Sequence, residues 1–337
     1  MGGDDCRPWG RQGPADGDIW SVGSLAMSLT VVGSIAFDAV RTPCGERERM
    51  LGGAAVHFAL AASFFDEVRV VGPVGDDFGE ADYAVLRDRG VVTDDIEQVP
   101  GGKTFFWSGV YSENLNSRET LETELNVFEA FEPKLSDASR DCDVLFLANI
   151  VPDLQIGVRE QCDKARFVAL DSMDLWMNIA RDSLDRAIRM VDCLILNDEE
   201  LEQLTGRPNV LTAAREVLSW GPTAVVAKLG KYGAALVTAD AFFALPAFPM
   251  ETVVDPTGAG DSFAGGFVGY VAAHPDEEIT HALLTRAMAY GTAIASYNVQ
   301  EFGTERVARL TPEEIAGRVA DLERMTRFED MPVALRG

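Results

Sequence analysis

The sequence predicts an α/β fold: a mostly parallel central sheet with helices on both faces and a small β lid. Three observations predict it. From Leu29 onward short β-rich runs alternate with segments of helical period, the grammar of successive βαβ units. Several of these runs are almost continuously apolar, as strands covered on both sides must be. The stretch Lys103 to Phe128 stands apart, mixing Thr, Phe, Trp, Val and Tyr with polar residues and lacking a helical period at its start.

In order along the chain, residues 1–27 are rich in Gly, Pro and Asp and are expected to be a disordered tail ahead of one domain over 28–330. LTVVGSIAF is read as a strand, GAAVHFALAASFF as a helix of small residues, VRVVGPVG as a strand and EADYAVLRDRG as a helix. Residues 38–50 form a charged loop at the mouth of the site, with Arg41, Arg47 and Arg49. Together with antiparallel strands in 103–128 they make the expected lid. The rhythm resumes with DVLFLANI, ARFVALD, CLILND, TAVVAKLG and AALVT as strands. Two helices close the chain at about 277–296 and 311–327, the second opened by Thr311 as N-cap and Pro312 at its first position.

Composition excludes several functions. With 47% hydrophobic and 25% charged residues among 337, most of the chain has enough apolar material for a core. A net charge of −25 repels nucleic-acid phosphates and anionic lipid heads, so neither is expected as a partner. Lysine is confined to Lys103, Lys134, Lys164, Lys228 and Lys231; adaptation to high salt and plain acidity both account for this balance. Five scattered cysteines without a CxxC pair argue against a disulfide framework and a structural zinc site, and fit a reducing cytoplasm. No run reaches the roughly 18 apolar residues of a membrane span. Three histidines supply too little for a His-based metal site or a Ser-His-Asp triad.

The chemistry concentrates in Asp255-Pro-Thr-Gly-Ala-Gly-Asp261. β-prone ETVV precedes this glycine turn, and a small, apolar helix begins near Asp261. Free backbone N–H groups at a helix start, with the positive end of its dipole, make an anion site, and Gly258 and Gly260 let the backbone close on a phosphoryl group. A carboxylate at that point can take a proton from a hydroxyl while the amides stabilise phosphoryl oxygens. Asp261 as an ordinary N-cap explains the same residue. No GxxxxGK[ST] or GxGxxG run is present.

In company with other segments, this stretch resembles the ribokinase-like, or PfkB, family of carbohydrate and nucleoside kinases. Asp255-Pro256-Thr257-Gly258-Ala259-Gly260-Asp261 follows the family's C-terminal signature, and Asn197-Asp198-Glu199-Glu200 its Asn-x-x-Glu at a strand end. Gly52-Gly53 before a helix, and Gly33-Ser34 followed by Asp38, complete the set in the family's order, so the likeness covers nearly all of residues 28–327. The resemblance implies an ATP- and Mg²⁺-dependent kinase. Asp261 becomes the catalytic base, Gly258, Ala259 and Gly260 the anion hole, and Asn197 with Glu200 the organisers of Mg²⁺ and its waters. The capping of a helix by Asn197 is compatible with that role. Lys228, Gly230 and Gly233 look like the nucleotide loop, with Ser296 nearby, although a plain turn explains the glycines too. Asp255 looks like the family's monovalent-cation position, leaving K⁺ dependence open.

Acceptor positions depart from the family's usual pattern, which has Asn where this chain has Ala36 and His57. Asp38 can still grip two neighbouring hydroxyls from above Gly52 and Gly53, and His57 can reach a third or simply sit in the core. Phe106 and Trp107 offer aromatic surface for a sugar face or a nucleobase, or a dimer contact through the lid. The expected activity is phosphorylation of a sugar or sugar-like hydroxyl in the cytoplasm by a homodimer. A nucleoside kinase and a catalytically silent sugar- or nucleotide-binding regulator stand as alternatives; a sensor would have no need of Asp261.

Overall fold

The computed structural model describes residues 28–115 and 117–328; the expected N-terminal tail and positions 329–330 of the expected domain lie outside the described residues. Thirteen strands are present among the described residues: β1 (Ser28–Val32), β2 (Ala36–Thr42), β3 (Gly45–Gly52), β4 (Glu67–Val74), β5 (Ile96–Gln98), β6 (Phe105–Tyr111), β7 (Arg118–Glu124), β8 (Val144–Leu147), β9 (Phe167–Asp171), β10 (Cys193–Asn197), β11 (Ala224–Lys228), β12 (Ala234–Thr238) and β13 (Phe242–Leu245).

Nine of them form the main sheet in the order β13, β12, β11, β10, β9, β8, β1, β4, β5. Its pairs are parallel from β5 through β11, while β12 and β13 add an antiparallel edge. Both faces are covered, which is why β1, β8 and β9 are apolar and fully buried. Alternation along the strands divides their side chains between two cores: Leu29, Val144 and Phe146 pack toward the helices Ala54–Ala62, Ala259–Ala272 and His281–Asn298. Val32, Leu145 and Leu147 pack on the other side against Val158, Leu184 and Leu201.

LTVVGSIAF is two strands in two sheets, because the chain leaves the main sheet after β1. There Ser34 Oγ accepts the Ala54 N–H at 3.1 Å and the Ser34 carbonyl accepts the Ala55 N–H at 3.0 Å, pinning the helix that follows β3. The lid is a four-stranded sheet ordered β3, β2, β6, β7. Residues 38–50, expected as a loop, form a hairpin of β2 and β3. The strands β6 and β7 are antiparallel as expected, and the two halves join through a parallel β2/β6 pair.

Helix ends follow their caps. Thr311 opens Pro312–Thr326 with a reciprocal capping box to Glu314. The preceding helix starts later than expected, at His281, because Thr280 caps it by accepting the Leu283 N–H. No described helix is long and apolar enough to cross a membrane.

Candidate active site

The chain turns in opposite directions along the sheet from β1 and β8, and the carboxyl ends of parallel strands at such a reversal frame a crevice. Asp171 ends β9, Asn197 ends β10 and Lys228 ends β11. The signature turn rises opposite them. Gly258, in the left-handed region at φ 72°, caps the helix Ala259–Ala272, and Asp261 lies in its first turn. The Ala259 N–H donates to the Pro256 carbonyl at 3.2 Å, which leaves those of Gly258 and Gly260 for an anion at the positive end of the helix dipole.

Polar side chains hold the turn rigidly. Asn298 donates from Nδ2 to the Thr257 carbonyl at 2.7 Å, while its Oδ1 accepts from Ser262 Oγ at 2.9 Å and meets His57 Nδ1 at 3.2 Å. His57 is only 2% exposed and stands under the turn, with its Nε2 lacking a hydrogen-bond partner among the described residues. Burial lowers its pKa to about 4, keeping it neutral. The lid reaches the same turn: Thr257 Oγ1 donates to Tyr111 Oη at 3.1 Å, and Thr42 Oγ1 donates to the Val254 carbonyl at 2.8 Å.

Asp261 is pushed up to about 6, first by burial and then by the charge of Asp171, with Lys228 and Arg118 opposing. Such a carboxyl is poised to accept a proton near neutrality. Asp38 is pushed up to about 7 by burial, with Asp255 and Asp261 adding to it. Its carboxylate lies over Gly52 where any Cβ would overlap it, so the glycine is needed for close approach. Gly53 supplies the N-cap of the next helix, and its N–H holds the Asp38 charge.

Asn197 and Glu200 form a capping box: Asn197 Oδ1 accepts the Glu200 N–H at 2.7 Å, and Glu200 Oε2 accepts the Asn197 N–H at 2.9 Å. Glu200 Oε1 has no hydrogen-bond partner among the described residues, and burial pushes the carboxyl up to about 7. A half-buried carboxylate oxygen without a protein donor suits a hydrated divalent cation. Asn197 spends its oxygen on the helix, so its part is to aim Glu200. Asp255 is fully buried, and its carboxylate accepts the Thr257 N–H at 2.9 Å and the Gly303 N–H at 3.0 Å.

The remaining expected residues have local contacts of their own. Gly233 is required by packing, since a side chain there would overlap the Leu245 carbonyl, and Gly230 opens one 3₁₀ turn at φ 54°. Ser296 Oγ donates to the Ala293 carbonyl and accepts from Arg318 Nη1, both at 2.6 Å, so its hydroxyl is already engaged. Phe106 and Trp107 are neighbours in one strand and face opposite sides of the lid. Trp107 is paired with Asp38 and shares its face, whereas Phe106 is paired with Phe37 and packs on the core.

Sequence reasoning missed two charged residues. Asp171 ends the apolar run ARFVALD, and that lone carboxylate at a buried strand end is the signal that could have found it. Arg118 begins β7, and its charge acts on Asp38, Glu200 and Asp261. It and Lys103 are the two cations in residues 103–128, otherwise acidic in charge, which marks it in retrospect.

A glycine turn at a helix start, a carboxylate beside it and a second carboxylate under a lid fit a phosphotransferase that uses an alcohol group as acceptor. The chain belongs to the pfkB family of carbohydrate kinases, whose model matches residues 17–309. It is 32% identical over 273 residues to a cytidine kinase of Thermococcus kodakarensis, covering 77% of this chain and 95% of that protein. In fold it is similar to a nucleoside kinase of Burkholderia thailandensis in complex with inosine, with a TM-score of 0.71 and 18% identity over 88% of this chain and 97% of that one. It is likewise similar to an Escherichia coli chain described as ribokinase II, in complex with ATP and Mg²⁺, with a TM-score of 0.72 and 19% identity over 88% and 99% of the two chains.

Proposed function

We propose that this protein transfers the γ-phosphoryl group of ATP to a hydroxyl of a sugar or sugar-like acceptor, with Asp261 as general base. The observation that carries this reading is the raised carboxyl of Asp261 in the first turn of a helix whose glycine cap leaves its N–H groups free. Asp261 takes the hydroxyl proton, the acceptor oxygen bonds to phosphorus, and the bond to the ADP oxygen breaks. Gly258 and Gly260 offer amides to the transferring group, while the Ala259 N–H is held by the Pro256 carbonyl and shapes the turn. Asp38 orients the acceptor through its own hydroxyls, supported by Gly52 and Gly53. When bound, Mg²⁺ supplies charge neutralisation on the triphosphate, and Glu200, aimed by Asn197, would hold it through its waters.

A nucleoside acceptor is the second reading. Trp107 lies beside Asp38 on the same face of the lid, where a flat ring could stack while Asp38 holds the ribose. The likeness to a cytidine kinase supports the same choice. Asp255, buried with two backbone donors and no cationic side chain paired to it among the described residues, suits a monovalent ion such as K⁺ beside the turn. Pairing of two copies through the lid is the oligomeric part of the proposal. The strand β3, with Glu46-Arg47-Glu48-Arg49 exposed, is the edge of the lid sheet along which a second copy would pair.

A phosphorylation screen of the purified protein against pentoses, hexoses and nucleosides with ATP, at low and high salt and with and without K⁺, tests the proposal. Phosphate ester formed on one of these acceptor classes is the expected result. ATP and acceptor binding without any turnover would favour the silent regulator.

A further inference from the structure

We propose that Lys228 is a catalytic residue that grips the transferring phosphoryl group beside the anion turn, and that Asp171 is the positioning residue that aims it. This rests on the kinase reading above. The Lys228 ammonium stands where a side chain at Gly260 would project, 3.2 Å from that Cβ position. Gly260 belongs to the first turn of the helix Ala259–Ala272, so the cation and the free N–H groups border one space.

An ammonium has three N–H donors. Lys228 Nζ gives one to Asp171 Oδ2 at 2.9 Å, and no other protein acceptor takes a second among the described residues. The side chain is 18% exposed, withdrawn from bulk water yet open toward the crevice end of β11. Asp171 is fixed at its other oxygen, where Oδ1 accepts the Ser172 N–H at 2.8 Å. Next to it Ser172 Oγ is buried and unpartnered, a further polar atom with unused capacity at the same strand end.

The charge of Lys228 acts on Asp261 and Glu200, so the ammonium lies near both carboxylates. Phosphoryl oxygens pass through that space during transfer; a base or ribose lies further back along the nucleotide. As the acceptor oxygen–phosphorus bond forms and the bond to ADP breaks, Lys228 keeps its proton and donates hydrogen bonds to a phosphoryl oxygen. A purely structural ion pair would also satisfy Asp171, but it would not require donors left free beside an anion pocket.

ATP and ADP differ by the group in question, which gives the test. Affinities of both nucleotides with Mg²⁺ are measured by calorimetry on the native protein, on Lys228→Met and on Lys228→Met/Asp171→Asn. The double variant is included because the single one leaves a buried carboxylate unpaired. Expected are ADP affinities within about twofold of native, ATP affinities lower by about 10-fold, and turnover lower by about 10²-fold. Asp171→Asn alone lowers kcat while the acceptor KM holds. Equal losses for ATP and ADP would place Lys228 at the ribose or base and overturn the inference. Unchanged ATP affinity and turnover in the double variant would overturn it too. If the native protein bound neither nucleotide and phosphorylated nothing, the kinase reading would fall first and this inference with it.

Discussion

The imidazole of His57 fills the volume into which a side chain at Gly258 would point, and a Cβ there would overlap the ring. The anion turn is therefore moulded on a buried histidine, and Asn298 ties the two together. This histidine, expected at an acceptor position, supports the turn itself.

Gly258→Ala adds both the overlap and a left-handed φ that an alanine tolerates poorly, at a cost of about 1–3 kcal/mol. The melting temperature should fall, and kcat should drop by about 10²-fold as the amides lose their aim. Stopped-assay turnover and thermal unfolding check this together. Normal turnover in the variant would separate the turn from the chemistry.

Asp261 must be ionised to act, so activity should rise with pH through about 6, where burial places its carboxyl. Replacing Asp171 by Asn removes the next largest cause raising that value, and the acid limb should move to lower pH. Stability has the opposite slope. Asp38 at about 7, Glu200 at about 7 and Asp261 at about 6 bind more protons folded than unfolded across this range. Their contribution is fully present below the unfolded carboxyl range near about 4 and is lost as pH rises through 6 to 7. Thermal unfolding of the ligand-free protein at pH 5 and pH 8 should show a smaller difference for Asp38→Asn than for the native chain.

Glu200→Gln keeps a side chain able to complete the capping box and removes its charge. The Mg²⁺ concentration giving half-maximal activity should rise several-fold while the melting temperature changes little. Asn197→Ala should cost about 1 kcal/mol of stability through the lost cap. An unchanged Mg²⁺ titration for Glu200→Gln would remove it from the metal site.

Trp107→Ala should raise the acceptor KM by about 10-fold and leave ATP affinity unchanged, because its ring shares a face with Asp38. Phe106→Ala should instead lower stability, since it packs against the main core. Initial-rate kinetics with each substrate varied, beside thermal unfolding, separates the two residues.

Much of this architecture was legible in the chain. Apolar runs and helical periods gave the strands of the main sheet, and Thr311-Pro312 fixed the start of the last helix. The break inside LTVVGSIAF was not legible, since the residues on either side of it are mostly apolar and buried; the Ser34 hydrogen bonds to the next helix show where the chain leaves the sheet. The parallel β2/β6 pair joins segments far apart in sequence, and local patterning carries no trace of it. In the site, residues grouped in motifs were found: Asp261 with its glycines, Asn197 with Glu200, Asp38 with Gly52. Asp171 and Arg118 were missed because each stands alone in sequence and gains meaning only from what it faces in space.

Turnover of Asp261→Asn with ATP and a phosphorylated acceptor, set beside its ATP affinity, tests the central claim most directly. The account predicts ATP binding close to native and a kcat lower by about 10²-fold or more. Turnover close to native in that variant would contradict it.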